Sequence, residues 1–338
     1  MSRGGQWWIR GKCLKLCFSN VWASARNYPT IIEELCHQFS LSHLTKLTNN
    51  FDPKRVVGRG AFSKVYEASL QRSDGSPYTV AIKRFNVKDS DIFKNEIELL
   101  CQLHHPNIVS LVGFCNHKKE KIIVYEYLSN ESLYQHIQSG KLSWKKMLEI
   151  CIGAARGLHY LHAGAKRTII HRNIKPSNIL LDGNMQPKLA DFGLSVQGQS
   201  FMSKPKPIKV DSVVGTFGYL AKEHLVDLTI TDKTDVYSFG MVLLEVVCGG
   251  TYVKRLAEGE FFRPVEEKLH PNIEGKIAPE CWQVFVEIIQ GCVKNEADER
   301  PTMGEVEMQL EHALLLQEQA DTANTNAEYT LLSQTIIN

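Results

Sequence analysis

Apolar and polar residues alternate along the stretches KRVVGRG, SKVYEASL and YTVAIKRF, the period of two expected of strands with one buried face. SDGSP (73–77) supplies turn chemistry between two of them, and IVSLVGF and KIIVYEYL predict two further strands. The period changes in DIFKNEIELLCQLH (91–104), where Ile92, Phe93, Ile97, Leu100 and Leu103 fall on or near one face of a helix. FSLSHLTKLTNNF (39–51) has helical spacing over a shorter run and ends in Asn-Asn before Asp-Pro, a short helix followed by a turn. After residue 129 helical periods dominate. WKKMLEICIGAARGLHYLH (144–162) predicts a long helix, and DVYSFGMVLLEVVCG (235–249) is apolar nearly all round, the mark of a buried one. The expectation is an α+β chain, bilobal, with a small β-rich lobe holding one helix, a larger helical lobe, and a cleft between them. Its divisions read as a basic leader (1–38), the small lobe with an N-terminal extension (39–128), the large lobe (129–316) and a flexible C-terminal tail (317–338). The tail has three acids, no Lys or Arg, and many Asn, Thr and Gln. There is no internal repeat.

Charge and cysteine content narrow the function classes. The formal net charge is +2 over 338 residues, so no strong field draws the molecule to nucleic acid. Nine scattered cysteines without a CxxC pair are too few for a disulfide scaffold and point to a reduced, cytoplasmic setting. No Cys/His group has zinc-ligand spacing. No apolar run reaches the roughly 18 residues that span a membrane. Residues 1–20 carry Arg3, Arg10, Lys12 and Lys15 without an acid, interleaved with Trp7, Trp8, Cys13 and Cys17. That composition suits peripheral contact with an anionic bilayer at the inner face of the plasma membrane, with lipidation at Cys13 or Cys17; a leader with no such contact is the other reading. Charge interrupts any secretory signal, and the Met-Ser start lacks the myristoylation pattern.

Chemistry concentrates in four motifs. In GRGAFSKV (58–65), Gly58 and Gly60 let backbone N–H groups approach a phosphate, and Ser63 stands where a third glycine would complete G-x-G-x-x-G-x-V. VAIK ends a predicted strand on Lys83, a charge expensive to bury without an anion. Lys83 reads as the contact to α- and β-phosphates, oriented by Glu96 thirteen residues on; Glu98 would point roughly 200° away on the same helix. LADFGLS places Asp191 after an apolar strand, and Asn178 precedes it by thirteen residues; together they offer two oxygens suited to Mg²⁺. HRNIKPSNILLD (171–182) is the fourth.

The order and spacing of these motifs, with GAARGLHYLH, GTFGYL, TDVYSFGMVLLEVVCG and ERPTM, resemble the protein kinase superfamily and, within it, plant receptor-like Ser/Thr kinases of the FERONIA-like group. The resemblance runs from about Phe39 to Leu315 and implies ATP and Mg as cofactors. It also implies that Val65 and Ala81 sandwich the adenine, that Tyr125 stands at the back of the pocket, and that Glu126–Leu128 form the hinge. Lys175 resembles the residue that meets the γ-phosphate and Thr216 the substrate-side threonine. Asp235 should hold the catalytic-loop backbone, and Glu223 should pair with Arg300. Three departures stand out: Ser63 for Gly, Lys222 in AKE where the family has APE, and Asn173 where the family has the catalytic Asp.

Asn173 matters most. Its carbonyl oxygen accepts one hydrogen bond, but the amide cannot take a proton. A positioned base contributes typically 10²–10⁴-fold, so from the usual 1–100 s⁻¹ the expected rate falls to about 10⁻⁴ to 1 s⁻¹. The expectation is a nucleotide-binding but catalytically impaired kinase domain, a signalling scaffold or regulator within a receptor-like kinase complex; the alternative is an active or slow Ser/Thr kinase acting on protein substrates. Mg-ATP would bias helix position and the activation segment. In that segment Ser195, Ser200, Ser203, Ser212 and Thr216 lie among Lys204, Lys206 and Lys209, and phosphorylation there would pair with these bases or with Arg172.

Overall fold

The computed structural model describes residues 36–86, 89–200, 206–257, 265–324 and 328–331. The expectations for the leader up to residue 35, for Ser203 and Lys204, and for the Ser200 side chain lie outside what it describes.

Strands β1 (Val56–Arg59), β2 (Ser63–Gln71), β3 (Pro77–Phe85), β4 (Leu111–His117) and β5 (Glu120–Glu126) form one antiparallel sheet in the order β1-β2-β3-β5-β4. The β2–β3 turn uses Gly75 at φ +82°, and the Asp74 carboxylate accepts from Ser76 N at 2.8 Å. Alternation along β5 sorts its side chains between two cores. Ile122 and Val124 pack with Tyr66, Val80 and Ile82 beneath Leu44 of helix α1 (Leu41–Leu47). Ile123 and Tyr125 face the other way, toward Phe93 and Ile97 of helix α2 (Ser90–Leu100). That second core is continuous with the helical lobe. Helix α1 starts at the Ser40 cap and stops before Asn49, Asn50 and Phe51, all at positive φ, so the predicted Asn-Asn turn is present.

The helical lobe begins with α3 (Leu133–Ser139) and α4 (Trp144–His159), and α4 widens into a π-type turn over Tyr160–Gly164. Three short antiparallel pairs follow: β6 (Arg167–Ile170) with β9 (Val196–Ser200), β7 (Ile179–Leu181) with β8 (Pro187–Leu189), and β10 (Ile208–Lys209) with β11 (Thr229–Ile230). Then come α5 (Lys222–Asp227), α6 (Asp232–Cys248), α7 (Gly250–Ala257), α8 (Pro279–Cys292) and α9 (Met303–Ala323). The apolar-all-round reading of α6 holds: Val236, Met241, Val242, Leu244 and Val247 are buried on its several sides. Among the described residues no helix is long and apolar enough to cross a membrane.

Two expectations need correction. The first is the flexible tail from Gln317. Helix α9 continues to Ala323, and Tyr329 returns to bond Gly275 O through its N–H at 3.0 Å and Asp321 through its hydroxyl at 2.9 Å. Gln317 is 1 % exposed; its Oε1 accepts from Ala278 N at 2.9 Å and its Nε2 donates to Lys276 O at 3.2 Å. Polar composition hid this because a buried amide satisfied by backbone is as stable inside as out. Gln317→Ala would leave the N–H of Ala278, the residue just before α8, without its acceptor. The variant is expected to lose about 1–3 kcal/mol in denaturant unfolding, and an unchanged midpoint would contradict this anchoring role.

The second correction concerns the cysteines. Cys36 and Cys101 form a disulfide, their Cα atoms 6.5 Å apart across 65 residues of sequence, tying the segment before α1 to the end of α2. A pairing this distant in sequence leaves no mark in local spacing. Cys115, Cys151, Cys248, Cys281 and Cys292 are free, and burial pushes the Cys151, Cys281 and Cys292 thiols up to about 12.

Candidate active site

A cleft of about 420 Å³ separates the sheet from the helical lobe. From the sheet side Gly58, Gly60, Ser63, Val65 and Ala81 line it; Lys83, Glu96 and Tyr125 lie deeper. Glu126 and Leu128 also line it, and Asn178 and Asp191 enter from the helical lobe. A Cβ built on Gly58 would stand 3.5 Å from Val65 Cβ, and one on Gly60 would stand 3.6 Å from Ser63 Oγ, both ordinary contacts. Nothing inside the protein therefore requires glycine at either position. The free space they leave belongs to the cleft.

The strand β3 delivers Lys83 and the helix α2 delivers Glu96. Lys83 Nζ donates to Glu96 Oε2 at 2.8 Å and Oε1 at 3.0 Å, and to Asp191 Oδ1 at 2.7 Å. Burial alone would pull the Lys83 ammonium down, but the two carboxylates outweigh it and its pKa is raised. Burial pushes the Asp191 carboxyl up, but Lys83, His171 and Lys175 together outweigh it and its pKa is lowered. Two contacts here were not foreseen from the sequence. Tyr125 Oη donates to Glu96 Oε1 at 2.6 Å, so the residue at the back of the pocket also fixes the carboxylate that holds Lys83. Asn95 Nδ2 donates to the carbonyls of Phe192, Gly193 and Ser195 at 3.3, 3.0 and 2.8 Å, joining α2 to the turn after Asp191. The only sequence signal for Asn95 is its place beside Glu96. At the rim, the Glu126 carboxylate accepts from Ser110 N at 2.7 Å and pairs with Lys188 at 3.1 Å.

The loop carrying Asn173 is held from below. Asp235, fully buried on α6, accepts from His171 N at 2.7 Å, from Arg172 N at 2.8 Å, and lies 3.0 Å from His162 Nε2. These bonds keep Arg172 at φ +66°, a strained setting for a residue with a Cβ. The Arg172 guanidinium approaches the carbonyls of Leu194 and Ser212 at 3.4 and 3.5 Å, while Ser212 itself is exposed. Above this loop a chain of hydrogen bonds runs through the site. Lys175 Nζ donates to Thr216 Oγ1 at 2.9 Å, Thr216 Oγ1 donates to Asn173 Oδ1 at 3.0 Å, and Asn173 Nδ2 donates to Asp191 Oδ2 at 3.1 Å. Asn178 Nδ2 donates to Asn173 O at 2.8 Å, which turns the Asn178 carbonyl oxygen away from that bond.

Glu223 meets Arg300 through two bonds of 2.6 and 2.9 Å, as expected. Lys222, in the place of proline, begins α5, so the helix forms without proline's fixed φ.

Among the described residues no three His, Cys, Asp or Glu side chains are grouped as metal ligands. A divalent ion in the cleft would rest on Asp191 and Asn178 oxygens, completed by phosphate and water. Two hard oxygen donors fit Mg²⁺, which keeps much of its shell from substrate and solvent.

The family described as protein tyrosine and serine/threonine kinase matches residues 51–310. The chain is 43% identical over 306 residues to the receptor-like protein kinase FERONIA of Arabidopsis thaliana, covering 85% of this chain and 33% of that protein. It is 43% identical to receptor-like protein kinase ANXUR2 of the same plant, over 85% of this chain and 35% of that one. Receptor-like protein kinase THESEUS 1, also from Arabidopsis thaliana, is 40% identical over 83% of this chain and 34% of its own length. The chain thus spans about a third of the length of these relatives.

Proposed function

Because the chain belongs to the protein tyrosine and serine/threonine kinase family, as a receptor-like kinase domain of the FERONIA type, we propose that it binds Mg-ATP and transfers phosphate poorly. A protein kinase domain uses ATP and a divalent metal in general. Here Lys83, oriented by Glu96, would hold the α- and β-phosphates, Asn178 and Asp191 would hold Mg²⁺, and the Glu126–Leu128 backbone would meet the base between Val65 and Ala81. Such an ion, held by Asn178 and Asp191, would supply positive charge against the phosphates. Lys175 and Thr216 would set the γ-phosphate and hydroxyl side.

One observation carries the reading. Where the family has a carboxylate to take a hydroxyl's proton stands the Asn173 amide, whose oxygen accepts from Thr216 but cannot take a proton. The domain would then serve as a scaffold or regulator for a receptor-like kinase partner at the inner face of the plasma membrane, its 206–223 segment a substrate for that partner. Phosphate at Ser212 would find Arg172 near. The intact Lys83–Glu96 pair favours the second reading, a slow Ser/Thr kinase.

Transfer of labelled γ-phosphate to a generic protein substrate, beside nucleotide binding by calorimetry, tests the two. The intact chain is expected to bind Mg-ATP, and Lys83→Met to lose most of that binding, while transfer stays at or below about 1 s⁻¹. Transfer at ordinary kinase rates that vanishes in Lys83→Met would overturn the impaired reading. An intact chain that binds no nucleotide would overturn both.

A further inference from the structure

The chain before α1 runs along the edge of the sheet. Phe39 N donates to Phe114 O at 2.8 Å, and Phe114 N donates to His37 O at 3.0 Å. The approach is close: a Cβ built on Gly113 would collide with His37 O and stand 2.7 Å from the Phe39 ring. Cys36, at the head of this segment, is bonded to Cys101, the residue that caps α2 and whose N–H donates to Ile97 O at 2.9 Å. Just beyond Cys101 the chain is fastened to the helical lobe. Asn107 Nδ2 donates to Pro187 O at 2.9 Å, and Val109 N donates to Leu189 O at 3.0 Å. One covalent bond thus closes a loop that holds α1, β1 to β3 and α2, with Lys83 and Glu96 among its residues.

Two backbone bonds and the Phe39 ring are little to set against the entropy of ordering the 37–39 segment, so the covalent bond decides whether it stays seated. Cys36 and Cys101 are both half-buried, within reach of small thiols and peroxides. The other described cysteines offer less. Cys115, Cys151, Cys281 and Cys292 are buried, and burial pushes the Cys248 thiol up to about 12, leaving little thiolate to react. At the inner face of the plasma membrane, as proposed above, glutathione keeps thiols reduced, and a disulfide formed there is of the transient, sensing kind.

We propose that Cys36 and Cys101 are a redox-modification site, closed by a peroxide and opened by a thiol reductant, that fastens or frees the leading edge of the small lobe. On closing, the two thiols give two electrons and two protons to hydrogen peroxide; the S–S bond forms, the O–O bond breaks and two waters leave. On opening, two glutathione thiols supply two electrons and two protons, the protein S–S bond breaks and glutathione disulfide forms. The closed bond removes freedom from the unfolded 36–101 loop. Once it opens, the 37–39 segment is free to leave β4.

The full chain is equilibrated in glutathione buffers of graded reduced-to-oxidised ratio, its thiols are alkylated, and the Cys36 and Cys101 peptides are weighed. The pair is expected to pass from disulfide to two alkylated thiols across that range. It should regain the bond when the reductant is removed and hydrogen peroxide is added. Opening should lower the thermal midpoint by about 5–10 °C, the scale of a disulfide that closes a loop of this length. Cys36→Ser and Cys101→Ser should both sit at the lower midpoint and stop responding to peroxide; the intact chain in its two states carries the test if neither folds. A bond that survives the most reducing buffer is a fixed staple and overturns the switch. So do a pair that peroxide leaves as thiols, a glutathione adduct in place of the bond, and equal midpoints in the two states. None of these measurements uses nucleotide, so a chain that binds no ATP would leave the redox site standing, and a failed redox test would leave the ATP reading untouched.

Discussion

Asn173→Asp is expected to raise phosphoryl transfer in saturating Mg-ATP by about 10²–10⁴-fold, the usual worth of a positioned acid–base group. The variant changes an NH₂ for an oxygen and almost nothing in shape. The new carboxylate keeps the bond from Thr216, which brings it beside Lys175, and on the proposed reading a divalent ion on Asp191 and Asn178 would offset its charge. What it gains is an oxygen that can take a hydroxyl proton. The loop that carries it is already held by Asp235, and Lys83 already sits between Glu96 and Asp191. On the proposed reading, what is missing is the proton acceptor. Initial rates on a fixed substrate, with Asn173→Asp/Lys83→Met as the background, measure the gain. A gain of less than about tenfold would mean that the defect lies elsewhere, with Ser63 or Lys222 the next places to look.

The second large effect is on stability. Arg300→Ala is expected to cost about 3–5 kcal/mol in denaturant unfolding, because removing one partner of a buried pair strands the other. Arg300 is 2 % exposed and bonds Glu223 twice, together with the carbonyls of Lys233, Lys294 and Asn295 at 2.9, 2.8 and 3.1 Å. All of these lose their donor at once. Burial raises the Glu223 carboxyl, but the bond and charge of Arg300, with hydrogen bonds from its own backbone and Thr234, outweigh it, so its folded pKa lies below the ordinary 4.5. The pair therefore contributes fully above that value and loses its contribution as pH falls through the lower, folded one. Acid unfolding of Arg300→Ala should accordingly be shallower below pH 4.5 than that of the intact chain. A variant as stable as the parent at neutral pH would show that the pair is replaceable.

The sheet and α6 are legible from hydrophobic period alone, since Ile122 and Ile123 must go to opposite faces and a helix apolar all round must be buried. The Lys83–Glu96 pair is legible because a charge at the end of an apolar strand needs a partner, and the next helix offers one at the right turn. The direction of the Asn173 amide is not legible: it depends on Thr216, 43 residues away, and on a lysine that can only give protons. Gln317 misleads for the opposite reason. Composition reads polar side chains as facing water, while this one finds its water substitute in the Ala278 and Lys276 backbone. The Cys36–Cys101 bond depends on the segment at 37–39 running beside β4, where His37 O accepts from Phe114 N at 3.0 Å.

The three carbonyls gripped by Asn95 have a consequence for signalling. Asn95 ties α2 to the 192–195 turn, and Lys83 is bonded to Glu96 on the same helix, so α2 and that turn are expected to move as one piece. On the proposed reading, a companion protein would sense occupancy in the stretch from 206 to 223, where Thr216 reaches the catalytic cluster through Lys175 and Asn173 and Ser212 O meets Arg172.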